Sequence, residues 1–193
     1  MTEEQNSLLH NAIVSQISDT AYYIPNFITE DEEKQIIKCV NSVPQPKWTQ
    51  LSHRRLQNWG GVPHPKGMIA EEIPGAHSDG PLFHPVVTTI SCGSHTFLDF
   101  YKRLEMTEQQ QPKLEFSLLL ERRSLLILQK DLYHNYLHSI AETDADSISK
   151  STIKNLHMCA EKFAEGEVIK RGTRLSLTIR HVPKTSKMKL KIF

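Results

Sequence analysis

The stretch Arg171-Gly172-Thr173-Arg174-Leu175-Ser176-Leu177-Thr178-Ile179-Arg180 alternates polar and apolar residues along its second half. Successive side chains of a β-strand point to opposite faces, so this pattern predicts a strand with one polar and one apolar face. The polar face carries Arg174, Ser176, Thr178 and Arg180, and the apolar face carries Leu175, Leu177 and Ile179. Two guanidinium groups beside two hydroxyls are typical of a pocket wall that binds a carboxylate or a phosphate, because arginine is a planar, two-pronged donor. An edge strand with solvated arginines would have the same pattern.

Short apolar runs bounded by turn residues predict four further strands upstream of this one. They are Val86 to Ser91, Thr96 to Tyr101, Phe116 to Leu120 and Ser124 to Leu128, and the strand described above runs from Arg174 to Val182. Strands at this close spacing predict a mainly β protein with flanking helices (α+β), folded as a sandwich or jelly roll. The polar segments Lys102 to Lys113 and Glu142 to Ser151 are predicted to be solvated loops.

Two helices are predicted beside the strands. Thr29 and Glu32 have the spacing of a capping box, so a helix is expected to begin at Thr29 and to end before Pro44. Apolar residues between Ile153 and Ala164 recur at helical spacing and predict a second helix. From Pro44 to Gly75 the chain is rich in Pro, Gly, Trp and basic residues without either period, which predicts an ordered loop.

Composition indicates one domain of ordinary charge. The chain has 193 residues, of which 38% are hydrophobic, and a net charge of +1, so it can bury one sizeable core and is no polyelectrolyte. Its three cysteines, Cys39, Cys92 and Cys159, have unrelated spacings, which predicts no disulfide framework, no zinc knuckle and a reducing compartment. No apolar run is long enough to span a membrane and the N-terminus is acidic, so a soluble, unprocessed protein is expected.

His77 and Asp79 form a candidate metal-binding pair. On an extended segment, residues two apart point to the same side, as two ligands of one metal must. His138 is the favoured third ligand and His134 is its rival, although either could be a core histidine, and His77 could simply lie in a turn before Gly80. Two histidines and one carboxylate suit iron with open coordination positions, whereas zinc would need a fourth ligand that the sequence does not provide.

Taken in order, these motifs resemble the AlkB family of iron and 2-oxoglutarate dependent dioxygenases. The ordered set is a His-x-Asp, a histidine some sixty residues later on a strand, and Arg174-x-Ser176-x-x-x-Arg180. The similarity to animal members of the family covers most of the chain. It includes Tyr22-Tyr23-Ile24-Pro25-Asn26-Phe27-Ile28, Pro46-Lys47-Trp48-Thr49-Gln50-Leu51, Leu56-Gln57-Asn58-Trp59-Gly60-Gly61, Gly93-Ser94-His95-Thr96 and Leu98-Asp99-Phe100-Tyr101.

The resemblance implies a double-stranded β-helix that binds Fe(II) through His77, Asp79 and His138. Arg174 would bind the distal carboxylate of 2-oxoglutarate, with Ser176 beside it and Arg180 lining the pocket. The implied reaction consumes O2 and removes methyl groups oxidatively from alkylated DNA or RNA, or from protein.

A substrate lid is implied in the segment before the jelly roll. Its aromatic and phosphate-binding residues would be Trp48, Arg54, Arg55, Gln57, Asn58 and Trp59, although both tryptophans could simply pack. The predicted single domain then divides into a helix and lid region (1–75), a jelly-roll core (76–183) and a basic tail (184–193) that could contact nucleic acid or be solvated. A monomer in cytoplasm and nucleus is expected.

One departure from the family pattern concerns the residues before His77. Family members carry an Asn-x-Tyr strand there, whose side chains bind the cosubstrate, but here Met68-Ile69-Ala70-Glu71-Glu72-Ile73-Pro74-Gly75-Ala76 runs directly into His77. The jelly roll is therefore predicted to be incomplete by about one core strand. Because the lost strand would leave backbone groups of its neighbours unpaired, the alternative function is a catalytically impaired variant that keeps metal or nucleic-acid binding.

Overall fold

A computed structural model describes residues 2–17, 20–44, 48–50, 54–57, 83–102 and 113–181. In chain order its helices are α1 (Glu3–Asn11), α2 (Glu30–Asn41) and α3 (Asp131–His134). Its strands are β1 (Ala21–Ile24), β2 (Thr49–Gln50), β3 (Arg55–Leu56), β4 (Val86–Cys92), β5 (Thr96–Lys102), β6 (Leu114–Leu120), β7 (Leu125–Gln129), β8 (Tyr136–Ser139), β9 (Ala145–Ser147), β10 (Val168–Lys170) and β11 (Leu175–Arg180). Short 3-10 helices cover Ser15–Ile17 and Leu156–Met158.

Two antiparallel sheets form the body of the described structure. The larger has the strand order β1-β7-β4-β11, and the smaller has the order β6-β5-β8. The five predicted strands correspond to β4, β5, β6, β7 and β11, and their bounds agree with the prediction to within two residues. Among the described residues β11 lies at the edge of the larger sheet, where its Ser176 is opposite Ser91 and its Thr178 is opposite Thr89 of β4.

One hydrophobic core joins the two sheets. It contains Tyr23 and Leu126 from the larger sheet and Phe100, Leu118 and Leu120 from the smaller one, each 1% exposed or less. The aromatic rings of Phe100 and Phe116 stack at 4.9 Å between their centroids. The predicted mainly β, jelly-roll-like α+β fold is thus confirmed, with the core between the sheets.

Helix α2 begins as its sequence predicts. The Thr29 hydroxyl accepts a hydrogen bond from the Glu32 N–H at 3.2 Å, and the Glu32 carboxylate accepts one from the Thr29 N–H at 2.8 Å. These reciprocal bonds satisfy two donors that an uncapped helix would leave unpaired. The helix packs through its buried residues Glu33 and Val40.

The predicted helix between Ile153 and Ala164 is wrong. Residues 152–154 instead extend the smaller sheet, because Ser117 of β6 bonds Thr152 and Lys154 through the backbone and forms a parallel bridge with Ile153. The Asn155 side chain also donates to the Leu119 carbonyl and accepts from the Leu119 N–H, both at 2.8 Å. The apolar residues of this segment have helical spacing, but its backbone forms hydrogen bonds with the edge of β6 instead of the hydrogen bonds of a helix.

The segment from Glu142 to Ser151 is not the solvated loop that its polar composition predicts. It contains β9, which pairs with β10, and both Asp146 and Ile148 are buried. In the predicted loop from Pro44 to Gly75, residues 49–50 and 55–56 form a short hairpin of β2 and β3. Helices α1 and α3 and strands β1, β9 and β10 were not predicted, because each is short or lacks a clear period.

The two main sheets contain seven strands within the described residues, whereas a jelly roll has eight. The residues that precede β4, numbers 58–82, lie outside the described part of the chain. The absence of one core strand therefore stays a prediction. Residues 103–112 of the predicted loop from Lys102 to Lys113, and the basic tail from 184, also lie outside it. No helix of the described chain has the length and apolar character needed to cross a membrane.

Candidate functional site

A cavity of about 560 Å³ lies where the start of β11 meets the start of β5 and the segment after β8. Its titratable lining side chains are Arg54, His95, Asp144, Arg171 and Arg174. Small-molecule sites usually have volumes between roughly 300 and 1,000 Å³, so the cavity can hold a small metabolite. Its three guanidinium groups indicate an anionic ligand.

Of the three predicted cosubstrate-binding residues, Arg174 is the one that lines this cavity. Its Nη2 donates to the Ser91 hydroxyl at 3.0 Å and to the Ser176 hydroxyl at 3.3 Å, so the predicted neighbourhood of Arg174 and Ser176 is present. Its Nε is buried without a hydrogen-bond partner, and no carboxylate among the described residues forms an ion pair with it. Burial, together with the positive charge of Arg171, lowers the pKa of Arg174 to about 10. A buried cation that is bonded only to hydroxyls fits an anion that comes from outside the chain.

Asp146 neutralises the second arginine of the cavity. The Arg171 guanidinium donates to both oxygens of the Asp146 carboxylate at 2.6 Å, and His95 Nε2 lies 3.2 Å from the same carboxylate. Burial raises the pKa of Asp146, but His95 and Arg171 outweigh it and hold that pKa below its usual value. Arg171 also donates to the Ala141 carbonyl at 2.7 Å. Arg171 therefore joins β9 and the segment after β8 to the start of β11.

The turn between β4 and β5 supports the residues just before Arg174. The Gly172 N–H donates to the Ser94 hydroxyl at 2.7 Å. Gly93 has a φ of +82°, and a Cβ there would lie 2.5 Å from the Thr173 carbonyl oxygen, so only glycine fits. The Gly93 N–H donates to Glu33 of α2 at 2.8 Å, and Glu33 pairs with Arg122. This turn therefore fixes the backbone position from which Arg174 enters the cavity.

Of the predicted iron ligands, His138 is described, whereas His77 and Asp79 lie outside the described residues. His138 lies on β8 opposite Phe100 of β5, and the two ring centroids are 6.3 Å apart. Residues two apart on a strand share a face, so His138 lies on the same face of the sheet as Thr96, which lines the cavity. Its rival His134 is exposed on the four-residue helix α3, which favours His138. The described residues contain no group of three or more potential metal ligands.

Comparison with known proteins identifies the family of the chain. No protein-family model matches the chain. The probable RNA/DNA demethylase ALKBH6 of Danio rerio is 43% identical to it over 216 residues, covering 91% of this chain and 91% of the relative. The chain belongs to the AlkB family. The predicted resemblance to that family is confirmed.

This AlkB chain is shorter inside its aligned region than its relative. The alignment has 216 positions but includes 91% of the 193 residues of this chain, about 176, so about 40 of its positions face a gap in this chain. The comparison therefore supports the prediction that an internal segment is absent.

Arg180, the third predicted cosubstrate residue of this AlkB protein, is not among the described residues that line the Arg174 cavity. It lies at the other end of β11, and its guanidinium carbon is 5.4 Å from the centroid of the Phe83 ring. Six residues of strand separate it from Arg174, or roughly 20 Å. The structure therefore brings Arg174 and Ser176 together and places Arg180 apart from them.

The predicted lid residues of the AlkB chain divide into two groups. The guanidinium of Arg55 stacks on the ring of Trp48 at 4.1 Å, and the Trp48 indole donates to the Val43 carbonyl at 3.2 Å. Gln57 donates to the Val40 carbonyl at 3.2 Å, so these residues attach the hairpin of β2 and β3 to α2. Arg54 instead lines the Arg174 cavity. Asn58 and Trp59 lie outside the described residues.

His95, Asp146 and Arg171 were not predicted as site residues. The motif Gly93-Ser94-His95-Thr96 was noted only as part of the resemblance, and Asp146 lies in a segment that its composition predicts to be solvated. Asp146 and Arg171 are 25 residues apart, so no short spacing connects them. A buried charge in an otherwise polar run has no signal in a single sequence.

Proposed function

We propose that this AlkB protein is an Fe(II)- and 2-oxoglutarate-dependent dioxygenase that removes methyl groups from alkylated nucleic acid. The single observation that carries the proposal is the half-buried Arg174 guanidinium, which lines a cavity, has a buried Nε without a partner, and bonds hydroxyls but no carboxylate in the described chain. The name of the Danio rerio relative, a probable RNA/DNA demethylase, supports the reaction and the substrate class.

The described residues fit the cosubstrate. Arg174 would bind one carboxylate of 2-oxoglutarate, with Ser176 beside it, and His138 would be an iron ligand together with the predicted ligands His77 and Asp79. When bound, iron and 2-oxoglutarate would activate O2: one oxygen atom would oxidise 2-oxoglutarate to succinate and carbon dioxide, the other would hydroxylate a methyl C–H bond, and the hydroxymethyl group would then leave as formaldehyde. The proposal includes O2 as the second cosubstrate.

The chain's own contribution is to present a fixed positive charge at the wall of the cavity. Ser91 and Ser176 orient the Arg174 guanidinium, and burial strengthens its attraction to a carboxylate because water screens it less. Asp146 neutralises Arg171, which limits the repulsion that Arg174 experiences. Binding of an anion at Arg174 would then also relieve the cost of burying that cation.

The nucleic-acid substrate class rests on the name of the Danio rerio relative, a probable RNA/DNA demethylase. Nucleic acid occurs in nucleus and cytoplasm, where we place the protein.

The direct test is calorimetric titration of the full chain with 2-oxoglutarate in the presence of manganese, which replaces iron without turnover. We expect saturable binding by the wild type and none by Arg174→Gln, with both proteins folded by circular dichroism. Succinate and formaldehyde release from methylated oligonucleotides, with iron and ascorbate, then tests the reaction against a His138→Ala control. Absence of wild-type 2-oxoglutarate binding would sink the proposal.

A second candidate function is a catalytically impaired AlkB variant that retains metal or nucleic-acid binding. The observation that favours it is that about 40 positions of the alignment with the Danio rerio protein face a gap in this chain. An impaired variant would bind methylated RNA or DNA in a filter-binding assay but show no heat of 2-oxoglutarate binding. Tight 2-oxoglutarate binding would contradict this candidate.

A further inference from the structure

Arg54 lies in a place that its sequence context does not predict. The hairpin residues around it would be expected to face substrate, and Arg55, its neighbour, stacks on Trp48 and donates to the Asn41 side chain at 3.0 Å. Arg54 instead contributes to the wall of the cavity that Arg174 lines. The consecutive residues Arg54 and Arg55 therefore lie in different surroundings.

The charges of the cavity explain what Arg54 could do there. Arg171 forms a two-pronged ion pair with Asp146 and is neutralised. In the described part of the chain, neither Arg54 nor Arg174 forms an ion pair with a carboxylate. Asp144 is the one acidic side chain among the described residues that line the cavity, so the lining carries a net positive charge. A cavity with two unneutralised guanidinium groups favours an anion that can accept from both.

We propose that Arg54 is a second cosubstrate-binding residue, which joins Arg174 in binding the carboxylate of the small dicarboxylate that occupies this cavity. This inference rests on the proposed function and identifies a residue that the motifs assign to substrate. A carboxylate has lone pairs for two guanidinium donors at once. Arg174 would reach it from the position just before β11, and Arg54 from the position just before β3.

The chain offers a matched pair of variants as the test. Arg54→Gln and Arg55→Gln remove the same charge from adjacent residues, but only the first removes a group that lines the cavity. In calorimetric titrations with 2-oxoglutarate and manganese, we expect Arg54→Gln to weaken binding about tenfold and Arg55→Gln to change it less than twofold. Arg54→Lys, which keeps the charge, should recover part of the affinity, and raising the salt concentration should shrink the effect of Arg54→Gln.

The outcomes separate this inference from the proposed function. If the wild type binds 2-oxoglutarate and Arg174→Gln does not, but Arg54→Gln binds as the wild type does, the role of Arg54 is overturned and the proposed function stands. If Arg54→Gln weakens binding of a methylated oligonucleotide and leaves 2-oxoglutarate binding unchanged, Arg54 binds substrate instead. If the wild type fails to bind 2-oxoglutarate, both are overturned. Unfolding midpoints of all variants within a few degrees of the wild type confirm that each is folded.

Discussion

Arg174 shows why the kind of cation matters in this cavity. Its guanidinium reaches two hydroxyls through Nη2, and the pKa of the group is lowered mainly by burial. A lysine ammonium would keep the charge but lose the planar fork. We expect Arg174→Lys to retain weak 2-oxoglutarate binding, reduced about tenfold, because the Coulombic attraction survives without the paired hydrogen bonds. Calorimetry beside Arg174→Gln measures the difference, and equal affinities for Lys and wild type would argue against a two-pronged bond.

Gly93 provides a residue-scale test of how Arg174 is positioned. Gly93→Ala places a Cβ 2.5 Å from the Thr173 carbonyl at a φ of +82°, whereas Gly166→Ala has a φ of +76° and nothing within 4 Å. Both variants place an alanine in a left-handed backbone conformation, which lowers the free energy of unfolding by about 1 kcal/mol. Only Gly93→Ala also displaces Thr173, the residue before Arg174. Urea denaturation should show the larger loss of unfolding free energy for Gly93→Ala. Equal losses would mean that the turn adapts without moving Thr173.

At the scale of elements, the capping box of α2 can be measured directly. Thr29→Ala removes the hydroxyl that accepts from the Glu32 N–H, and we expect it to lower the free energy of unfolding by about 1 kcal/mol. Lys34→Ala in the same helix is the control, because it removes only the surface ion pair between Lys34 and Asp31. Their side chains are 70% and 94% exposed, so this ion pair should contribute almost nothing to stability. Similar losses for both variants in urea denaturation would contradict the role of the cap.

The edge of β6 explains which element-scale predictions failed. Sequence periodicity reports the face that a segment buries, and Ile153 is indeed buried. It does not report the hydrogen-bond partners of the segment: here its backbone bonds Ser117, and its Asn155 side chain bonds the backbone of Leu119. The alternation of β4, β5 and β11 was predictable because it depends only on neighbours two residues away.

For the whole molecule, buried carboxylates predict how stability changes with pH. Burial raises the pKa of Glu33, but hydrogen bonds from Arg122 and the Gly93 N–H outweigh it and hold the pKa below the usual 4.5. A carboxyl group whose pKa is lower in the folded than in the unfolded state stabilises the fold at pH values above the unfolded-state pKa. That stabilisation is lost as the pH falls through the folded-state pKa. Asp146, with a pKa below 3.8, adds a similar loss at slightly lower pH.

We therefore expect the free energy of unfolding to fall between about pH 5 and pH 3, and Glu33→Gln to reduce that slope while lowering stability at neutral pH. Urea denaturation at several pH values measures both. Asp31→Asn is the control, because that side chain is 94% exposed and its removal should leave the slope unchanged. An unchanged slope in Glu33→Gln would show that other carboxyls dominate acid unfolding.

Part of this protein was determined by the sequence alone. The polar and apolar faces of β11, the neighbourhood of Arg174 and Ser176 and the start of α2 all follow from spacings of two or three residues, which local geometry converts into structure. Family membership was also readable, because its motifs are short and ordered.

Only the tertiary structure decided the rest of the site. The pairing of β11 with β4, and of β9 with β10, brings Arg171 to Asp146 and His95, and the hairpin of β2 and β3 brings Arg54 to the same cavity as Arg174. Most of these residues are far apart in the chain, and nothing in the sequence around each one distinguishes it from an exposed polar residue. Burial of a charge becomes favourable only when its partner arrives from another strand, so no local pattern could have revealed these contacts.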